Sequence, residues 1–379
     1  PPPPLSLFRR QRQMCIRDRD DWAGLGTEGR GELLARSEAR FKKEADELGR
    51  LITREMGKPI REARAEARGI GSGLRDELSE ISEALVPETI QKGSSKSVIH
   101  RDPLGVCAAI TPWNFPMAMP SWMVLPALAA GNTVLFKPSE ETPLSGQAYA
   151  DILGEFLPPD VLTVVHGADE QGKALVQAQV DLIAFTGSRE VGKHILESAS
   201  RGLKRVILEL GGKDPMIVLE DADLEEAAKF AAWNGFRNAG QVCVSTERVY
   251  VQEEVADRFE SLLVGEAEKI VFGDGLAPET GLGPMVNKEQ RDHVLSQLDE
   301  AIRSGARVLT GGGEHPEPFI RPTVLGDASG DLCISRDETF GPVVCVNRVA
   351  SEEEAIKLAN ATPFGLGAVV FGSDPQRTE

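Results

Sequence analysis

One thiol stands where it could act as a nucleophile. Cys243 lies in the segment 236-FRNAGQVCVSTERVYV-251, in a short link between a predicted helix that ends at Ala239-Gly240 and a β-branched strand. Substrate can reach a thiol in such a link, and cysteine is a strong nucleophile near neutral pH. A single cysteine is usually a small buried hydrophobic residue, as we expect for Cys107 and Cys345 inside apolar strands. From the residues alone, both interpretations of Cys243 stay open.

A carboxylate in the segment 209-ELGGKDP-215 could serve as a general base. Glu209 follows the apolar run Val206-Ile207-Leu208 and precedes two glycines. At the end of a strand such a carboxylate can face a cleft, where partial burial raises its pKa toward neutrality. An ordinary exposed loop glutamate is the alternative.

Two further segments could bind a nucleotide. In 182-LIAFTGSREVG-192, Gly187 and Ser188 join an apolar strand to a helix with Gly192 in its first turn, and the free N–H groups of a helix N-terminus favour phosphate. The spacing G-x-x-x-x-G departs from the dinucleotide fingerprint, so a plain strand–helix turn is the alternative. In 134-VLFKPSEE-141, Lys137 and Glu140 follow a buried strand and could hold a ribose diol. A solvated charged loop is the other interpretation of that pair.

The elements that must position these residues alternate in type. Strands and helices follow one another from a strand at 104–111 to a helix at 190–200, which predicts a doubly wound α/β sheet. A second α/β block runs from about Gly212 to Phe371. Residues 30–85 predict two or more helices separated at Gly57-Lys58-Pro59, and residues 86–100 are irregular and then β-like. Thr142 and Pro143 predict a helix start, with Thr142 as N-cap.

Composition excludes several classes of protein. The 379 residues carry a net charge of −17 without clustered Lys and Arg, which argues against nucleic acid as a partner. The five cysteines contain no C-x-x-C pair and the five histidines no H-E-x-x-H motif, so we expect no disulfide framework, no metal, and a reducing, cytoplasmic location. No apolar stretch approaches the roughly 20 residues of a membrane helix, so no membrane partner is expected.

The first twenty residues, PPPPLSLFRRQRQMCIRDRD, are basic and rich in proline. They lack the apolar core of a secretory signal. The stretch is typical of adaptor or out-of-frame sequence, and we expect residues 1–20 to be non-native or disordered.

Six motifs together resemble the aldehyde dehydrogenase superfamily, in order and in spacing. They are TPWNFP (111–116), LFKPSEETPLSG (135–146), FTGSREVG (185–192), LELGGKDP (208–215), NAGQVC (238–243) and ETFGPV (338–343). The resemblance covers roughly residues 21–379. It implies NAD(P)-dependent oxidation of an aldehyde to the acid, through a thioester that is hydrolysed and not passed to coenzyme A.

The resemblance also implies a role for each matching residue. Cys243 is the nucleophile, Glu209 the general base, and Asn114 with the Cys243 backbone N–H the oxyanion hole. Lys137 and Glu140 hold the adenosine ribose, and the acid at Glu140 favours NAD over NADP. The remaining cofactor-binding residues are Trp113, Gly187, Ser188, Gly192, Leu210, Glu338 and Phe340.

Substrate identity is the least determined part of the resemblance. The implied tunnel is lined by Phe115, Met119, Trp122, Arg237, Val242 and Val244. Most of these side chains are apolar. Arg237 matches one of two carboxylate-binding arginines of succinate-semialdehyde dehydrogenases, but Trp122 stands in place of the other, so that alternative stays open.

The resemblance implies a domain plan as well. Residues 21–86 and 104–211 form a Rossmann-like NAD-binding domain, residues 87–103 an oligomerisation β-hairpin, and residues 212–379 a second α/β domain that carries catalysis. Members of the family are homodimers or homotetramers. They usually continue for about a hundred residues beyond the point that matches Glu379, a length within the range of a single domain. We therefore expect a chain shortened at both ends, with an incomplete β oligomerisation element. Its assembly stays open, and a fragment that only binds nucleotide is the rival hypothesis.

Overall fold

The computed structural model describes residues 20–328 and 330–378, and the chain divides into two compact units. Unit 1 comprises the chain up to Glu55 and Arg61–Glu209; unit 2 comprises Met56–Ile60 and the chain from Leu210 onward. The segment expected to be non-native, residues 1–20, lies outside the described residues except for Asp20, which is helical.

Between Gly26 and the first sheet the chain forms three helices: α1 (Gly26–Ala35), α2 (Glu38–Met56) and α3 (Ile60–Leu85). Phe41, Ala45, Leu48 and Ile52 of α2 are buried, at the spacing that places them on one face of a helix. Gly57 follows α2 with φ +81°, the left-handed conformation that commonly ends a helix. The predicted helices and the break at 57–59 are confirmed.

A two-stranded antiparallel hairpin follows, formed by β1 (Glu88–Lys92) and β2 (Ser95–Ile99). Gly93 has φ +60° in the turn, where glycine avoids the steric penalty of a Cβ. Every residue of both strands is exposed. The β-like prediction for this region is confirmed, and a role in oligomerisation stays a prediction.

The sheet of unit 1 has five parallel strands in the order β5-β4-β3-β6-β7. The strands are β3 (Val106–Ile110), β4 (Thr133–Lys137), β5 (Leu162–Val164), β6 (Leu182–Thr186) and β7 (Arg205–Glu209), and the helices are α4 (Ala118–Ala129), α5 (Pro143–Gly154), α6 (Asp169–Gln177) and α7 (Arg189–Ser200). The chain adds β4 and β5 on one side of β3 and then β6 and β7 on the other. This is the predicted doubly wound topology, and its switch point lies between β3 and β6.

Unit 2 contains a six-stranded sheet in the order β10-β11-β12-β9-β8-β13. Its strands are β8 (Asp214–Val218), β9 (Thr246–Gln252), β10 (Arg307–Thr310), β11 (Thr323–Gly326), β12 (Val343–Val349) and β13 (Val369–Phe371). Its helices are α8 (Leu224–Phe236), α9 (Glu253–Ala267), α10 (Lys288–Arg303), α11 (Cys333–Arg336), α12 (Glu352–Ala359) and α13 (Pro375–Thr378). Only β10 is antiparallel to its neighbour. A second α/β block was predicted here, and the structure adds that its strands are mostly parallel.

A buried arginine ties the centre of this sheet to a helix end. Arg248 of β9 donates to the backbone oxygens of Lys213, Leu358 and Ala359 and to the Tyr250 hydroxyl, over 2.6–3.1 Å. Leu358 and Ala359 end α12, where a positive charge interacts favourably with the helix dipole. Arg248 thereby fixes the chain just before β8.

Candidate active site

The carboxyl ends of the unit 1 strands lie side by side. Ile110 is opposite Lys137 on one side and Phe185 on the other, and Thr186 is opposite Glu209. The loops that leave these strands therefore share one edge of the sheet. That edge, beside the switch point, is where open α/β sheets bind ligands.

Lys137 and Glu140 form a half-buried ion pair on this edge. Lys137 is buried, and its Nζ donates to the Pro138 carbonyl and to Glu140 Oε2, both at 3.2 Å. The Glu140 side chain is 47% exposed. Lys137 is thus held within the protein, while the carboxylate of Glu140 presents acceptors to solvent.

The turn after β6 brings a helix N-terminus to the same edge. Ser188 is the N-cap of α7, and its hydroxyl accepts the Val191 N–H at 3.4 Å. The Gly187 N–H donates to the Glu209 carbonyl at 3.1 Å. A Cβ on Gly187 would lie 2.5 Å from Phe185 Cζ, so any larger residue there would have to displace the Phe185 ring. Gly192 is buried in the first turn of α7.

Two glutamates that are distant in sequence cap the N-termini of α4 and α5, the helices that follow the loops after β3 and β4. The Glu55 carboxylate accepts the N–H groups of Leu144 and Ser145 at 2.7 and 2.8 Å, at the start of α5. Thr142 occupies the predicted N-cap position, but its side chain forms no capping bond; Glu55 takes that role because a carboxylate is the stronger acceptor. Glu66 accepts the N–H groups of Met117 and Ala118 at 2.9 and 3.1 Å, at the start of α4.

The loop between β3 and α4 carries Asn114, which is buried. Trp113 and Phe115, on either side, are half-buried. Met119 and Trp122 are three residues apart and so share a face of α4. Met119 is buried and Trp122 is 65% exposed.

Glu209 is the last residue of β7 and is exposed, and Leu210 after it is half-buried. In unit 2 the two glycines that follow meet residues far along the chain. A Cβ on Gly211 would overlap the Glu338 carboxylate, and one on Gly212 would overlap the Cys243 carbonyl oxygen. The Gly212 N–H donates to Glu338 Oε1 at 3.0 Å. The Gly-Gly pair therefore lets the backbone approach both residues closely.

Cys243 lies in the link between α8 and β9 with a free, half-buried thiol. Burial raises the pKa of this thiol, and the nearby carboxylates Glu338 and Asp214 raise it further. The backbone N–H groups of Cys243 and Val244 act in the opposite direction. The thiol form is favoured, so attack on a substrate requires that the proton be removed.

The turn before Cys243 is a 3₁₀ helix, Arg237–Gly240, and it differs from the predicted helix end at 239–240. Helix α8 ends at Phe236, and Asn238 and Ala239 have φ +50° and +56°. The Asn238 Nδ2 donates to the Gln241 carbonyl at 3.2 Å, and the Gln241 Nε2 returns a bond of 3.0 Å to the Asn238 carbonyl. These two bonds hold left-handed backbone that is unfavourable for an alanine.

Arg237 opens this turn with its guanidinium over the Trp233 ring, 4.6 Å from the ring centroid. A guanidinium over an indole face is a favourable cation–π arrangement. Val242 is buried and Val244 is half-buried. The three residues of unit 2 that were expected to line a tunnel are thus one positively charged side chain and two aliphatic ones.

Residues 15–379 match the sequence model described as "Aldehyde dehydrogenase family". The chain belongs to the aldehyde dehydrogenase family. A betaine aldehyde dehydrogenase from Sinorhizobium fredii is 40% identical over 369 residues, which are 95% of this chain and 76% of the relative. Among solved structures, an NAD-dependent aldehyde dehydrogenase from Sinorhizobium meliloti has a TM-score of 0.95 and 35% identity, covering 100% of this chain and 77% of that one. An E. coli NADP dependent enzyme has a TM-score of 0.95 and 36% identity, covering 98% and 79%.

This aldehyde dehydrogenase therefore oxidises a small-molecule aldehyde with a nicotinamide cofactor. The unit 1 edge fits a dinucleotide, because Gly187 keeps the turn after β6 free of a side chain and Glu140 presents acceptors. None of the helices in residues 20–328 and 330–378 has the length and apolar character needed to cross a bilayer.

Three buried charged residues of the site were not predicted from sequence. Lys213 and Glu247 form an ion pair, and Asp214 has a pKa raised to about 7, chiefly by burial. One signal was present, since Glu247 stands in a β-branched strand where a charge is rarely buried unless paired. Its partner could not be read from the sequence.

Proposed function

We propose that this aldehyde dehydrogenase releases the free carboxylic acid through a thioester on Cys243. The observation that carries the proposal is the placement of Cys243: its thiol is half-buried, it lies just after the hydrogen-bonded turn at 237–240, and its carbonyl oxygen lies close to Gly212. We assign Glu209 as the general base, and Asn114 and the Cys243 backbone N–H as donors to the oxyanion. These roles come from the family motifs that the residues match.

The chemistry follows from the raised pKa of the thiol. Glu209 takes the proton of Cys243 as Sγ attacks the aldehyde carbon, and the carbonyl oxygen becomes an oxyanion. Because Glu209 is exposed, it passes this proton to solvent before it acts again. Each preorganised donor to that oxyanion typically lowers the barrier by about 3 kcal/mol. The bound dinucleotide supplies the acceptor for the hydride, and the carbon is left as a thioester on Sγ. Glu209 then removes a proton from water, whose oxygen attacks the thioester and releases the acid and the Cys243 thiolate.

We assign cofactor-binding roles from the family motifs that the residues match. Lys137 and Glu140 would hold the adenosine ribose, and Glu338 and Phe340 the nicotinamide ribose and ring. The pyrophosphate and the flanking contacts would fall to Trp113, Gly187, Ser188, Gly192 and Leu210. We propose NAD as the preferred cofactor, because the Glu140 carboxylate accepts from a 2′-hydroxyl and repels a 2′-phosphate.

We propose that the substrate is a neutral or anionic aldehyde. Phe115, Met119, Trp122, Val242 and Val244 would give the tunnel an apolar lining. Betaine aldehyde, named for the S. fredii relative, carries a quaternary ammonium, which a fixed cation repels. Arg237 is such a cation, because its guanidinium is stacked on Trp233. The same charge supports a second candidate, a succinate-semialdehyde-type activity on an ω-carboxylate aldehyde.

The experiment is to mix the protein with NAD and a panel of aliphatic, aromatic, ω-carboxylate and trimethylammonium aldehydes and to follow NADH absorbance. We expect turnover, and loss of at least about a thousandfold in Cys243→Ala, since removal of a covalent nucleophile leaves little residual rate. Binding of NAD without turnover would instead support a nucleotide-binding fragment. Retained turnover in Cys243→Ala would refute the thioester route.

Two proposals concern the surroundings of the enzyme. The exposed hairpin β1–β2 supports a role in homo-oligomer assembly, which sedimentation of a hairpin-deleted chain would test. The free cysteines Cys107, Cys243, Cys333 and Cys345 support a reducing, cytoplasmic location.

A further inference from the structure

A buried ion pair lies in unit 2 among residues to which the proposed function assigns no role. The side chains of Lys213 and Glu247 are 0% and 3% exposed, and Lys213 Nζ donates to Glu247 Oε2. Removing two charges from water costs free energy that their attraction only partly returns. The desolvation cost of a buried ion pair is smallest when its other polar atoms also form hydrogen bonds. In this pair, those hydrogen bonds go to one loop.

That loop is Glu338-Thr339-Phe340. The Glu247 carboxylate accepts the Thr339 N–H at 2.9 Å through Oε2 and the Phe340 N–H at 2.9 Å through Oε1. Lys213 Nζ donates to the Thr339 hydroxyl at 2.9 Å. The pair therefore binds the backbone and the side chain of the loop at the same time.

The loop needs this support because its backbone is strained. Phe340 has φ +51°, a conformation that is costly for a residue with a Cβ. Gln290 Nε2 donates to the Thr339 and Phe340 carbonyls at 3.2 and 3.1 Å, and the Thr339 hydroxyl donates to Gln297 Oε1 at 2.8 Å. Carbonyls and N–H groups of the strained loop are thus bonded from both sides.

The Lys213–Glu247 pair also holds Gly212, the hydrogen-bond partner of Glu338, in place. Lys213 directly follows Gly212, whose N–H donates to Glu338 Oε1 at 3.0 Å, and Glu247 lies four residues after Cys243 on the strand that follows the nucleophile. One ion pair therefore connects the turn at 211–213, the loop at 338–340 and the strand after Cys243.

We propose that Lys213 and Glu247 are positioning residues for the nicotinamide half of the cofactor: they hold the 338–340 loop so that Glu338 and Phe340 are preorganised to bind it. This inference rests on the proposed role of Glu338. Preorganisation raises affinity because the loop does not have to be ordered when the ligand binds.

Two double variants test the inference, and both remove both charges so that neither leaves an unpaired ion. In the double variant Lys213→Met, Glu247→Gln, the amide oxygen of the new side chain can still accept a hydrogen bond from the loop N–H groups. In the double variant Lys213→Met, Glu247→Leu, the new side chain has no acceptor. We expect the second to bind NAD at least about tenfold more weakly than the first, because buried N–H groups without an acceptor destabilise the loop. Kd from quenching of intrinsic fluorescence and Tm are measured for each.

Thr339→Val provides a variant that leaves the ion pair in place. It removes the hydroxyl that joins Lys213 to Gln297, and we expect NAD to bind severalfold more weakly with a small change in Tm. Unchanged NAD affinity in every variant that folds would overturn the inference, provided that Glu338→Gln weakens binding. If Glu338→Gln itself binds NAD like the wild type, the proposed role of Glu338 is wrong and this inference is wrong with it.

Discussion

The backbone N–H of Gly212 donates to Glu338 Oε1 at 3.0 Å. The same glycine leaves no room for a Cβ, because that atom would overlap the Cys243 carbonyl oxygen. Gly212 thus contacts both the carboxylate of Glu338, the proposed cofactor-binding residue, and the backbone of Cys243, the proposed nucleophile. A change there affects both.

Gly212→Ala should therefore reduce kcat by at least about a hundredfold, since displacement of catalytic groups by about 1 Å has effects of that size. Gly265→Ala is the matched control, because Gly265 lies within α9 and a Cβ there would meet no atom within 4 Å. Alanine in place of a helical glycine should stabilise unit 2 by about 0.5–1 kcal/mol and leave kcat unchanged. Equal kcat in the two variants would contradict the prediction.

The reactivity of Cys243 should depend on Asp214. After burial and Glu338, the ionised Asp214 carboxylate also raises the pKa of the thiol, so Asp214→Asn should lower that pKa. Alkylation of Cys243 by iodoacetamide, followed by peptide mass spectrometry across pH, should show its midpoint shifted to lower pH. The exposed Glu253 at the start of α9 supplies the control, Glu253→Gln, whose midpoint should not move. A midpoint that moves upward in Asp214→Asn would contradict this assignment.

Asp214 also predicts how stability changes with pH. Burial raises its pKa from 3.8 to about 7, so the unfolded chain loses this proton at lower pH than the folded chain does. Stability from this group is present below pH 3.8 and falls as the pH rises to about 7, at up to about 1.4 kcal/mol per pH unit. Asp214→Asn should not show this fall in stability. The Tm of the variant minus that of the wild type should therefore rise between pH 3.8 and about 7 and then stay constant. Parallel Tm curves would be the contrary result.

Cofactor preference should depend on Glu140. Glu140→Ser removes the charge that opposes a 2′-phosphate and the partner of Lys137 Nζ at 3.2 Å. We expect the ratio of kcat/KM for NAD over NADP to fall by at least about tenfold, the effect of about 1.4 kcal/mol. Glu141→Ser, one residue further along the loop, is the control. A ratio that is the same in Glu140→Ser and the wild type would rule out this role.

Local periodicity was sufficient to predict most elements of this fold. The strand predicted at 104–111 is found at Val106–Ile110, and the helix predicted at 190–200 begins one residue earlier, at Arg189. The helix predicted to start at Pro143 does start there. Apolar spacing and proline or glycine at element ends are local properties, so one sequence contains them.

The parts that escaped prediction depend on partners far apart in sequence. Glu55 caps a helix 89 residues away, and Lys213 pairs with Glu247 across 34 residues. Ala239 adopts a left-handed backbone conformation that alanine disfavours. The neighbouring position 240 requires glycine, because a Cβ there would overlap the Gly341 carbonyl. Tertiary contacts decide these features, and the segment itself carries no signal for them.

Arg237 should set the charge of the preferred aldehyde. Arg237→Gln keeps much of the side-chain length and removes the cation stacked on Trp233. We expect kcat/KM for an ω-carboxylate aldehyde to fall, and that for betaine aldehyde to rise, each by about tenfold, because a partly desolvated charge contributes about 1–2 kcal/mol. Arg258→Gln is the control, since Arg258 is 69% exposed on α9 and its charge is screened by solvent. If Arg237→Gln and Arg258→Gln give the same substrate ratios, the Arg237 charge does not select the substrate.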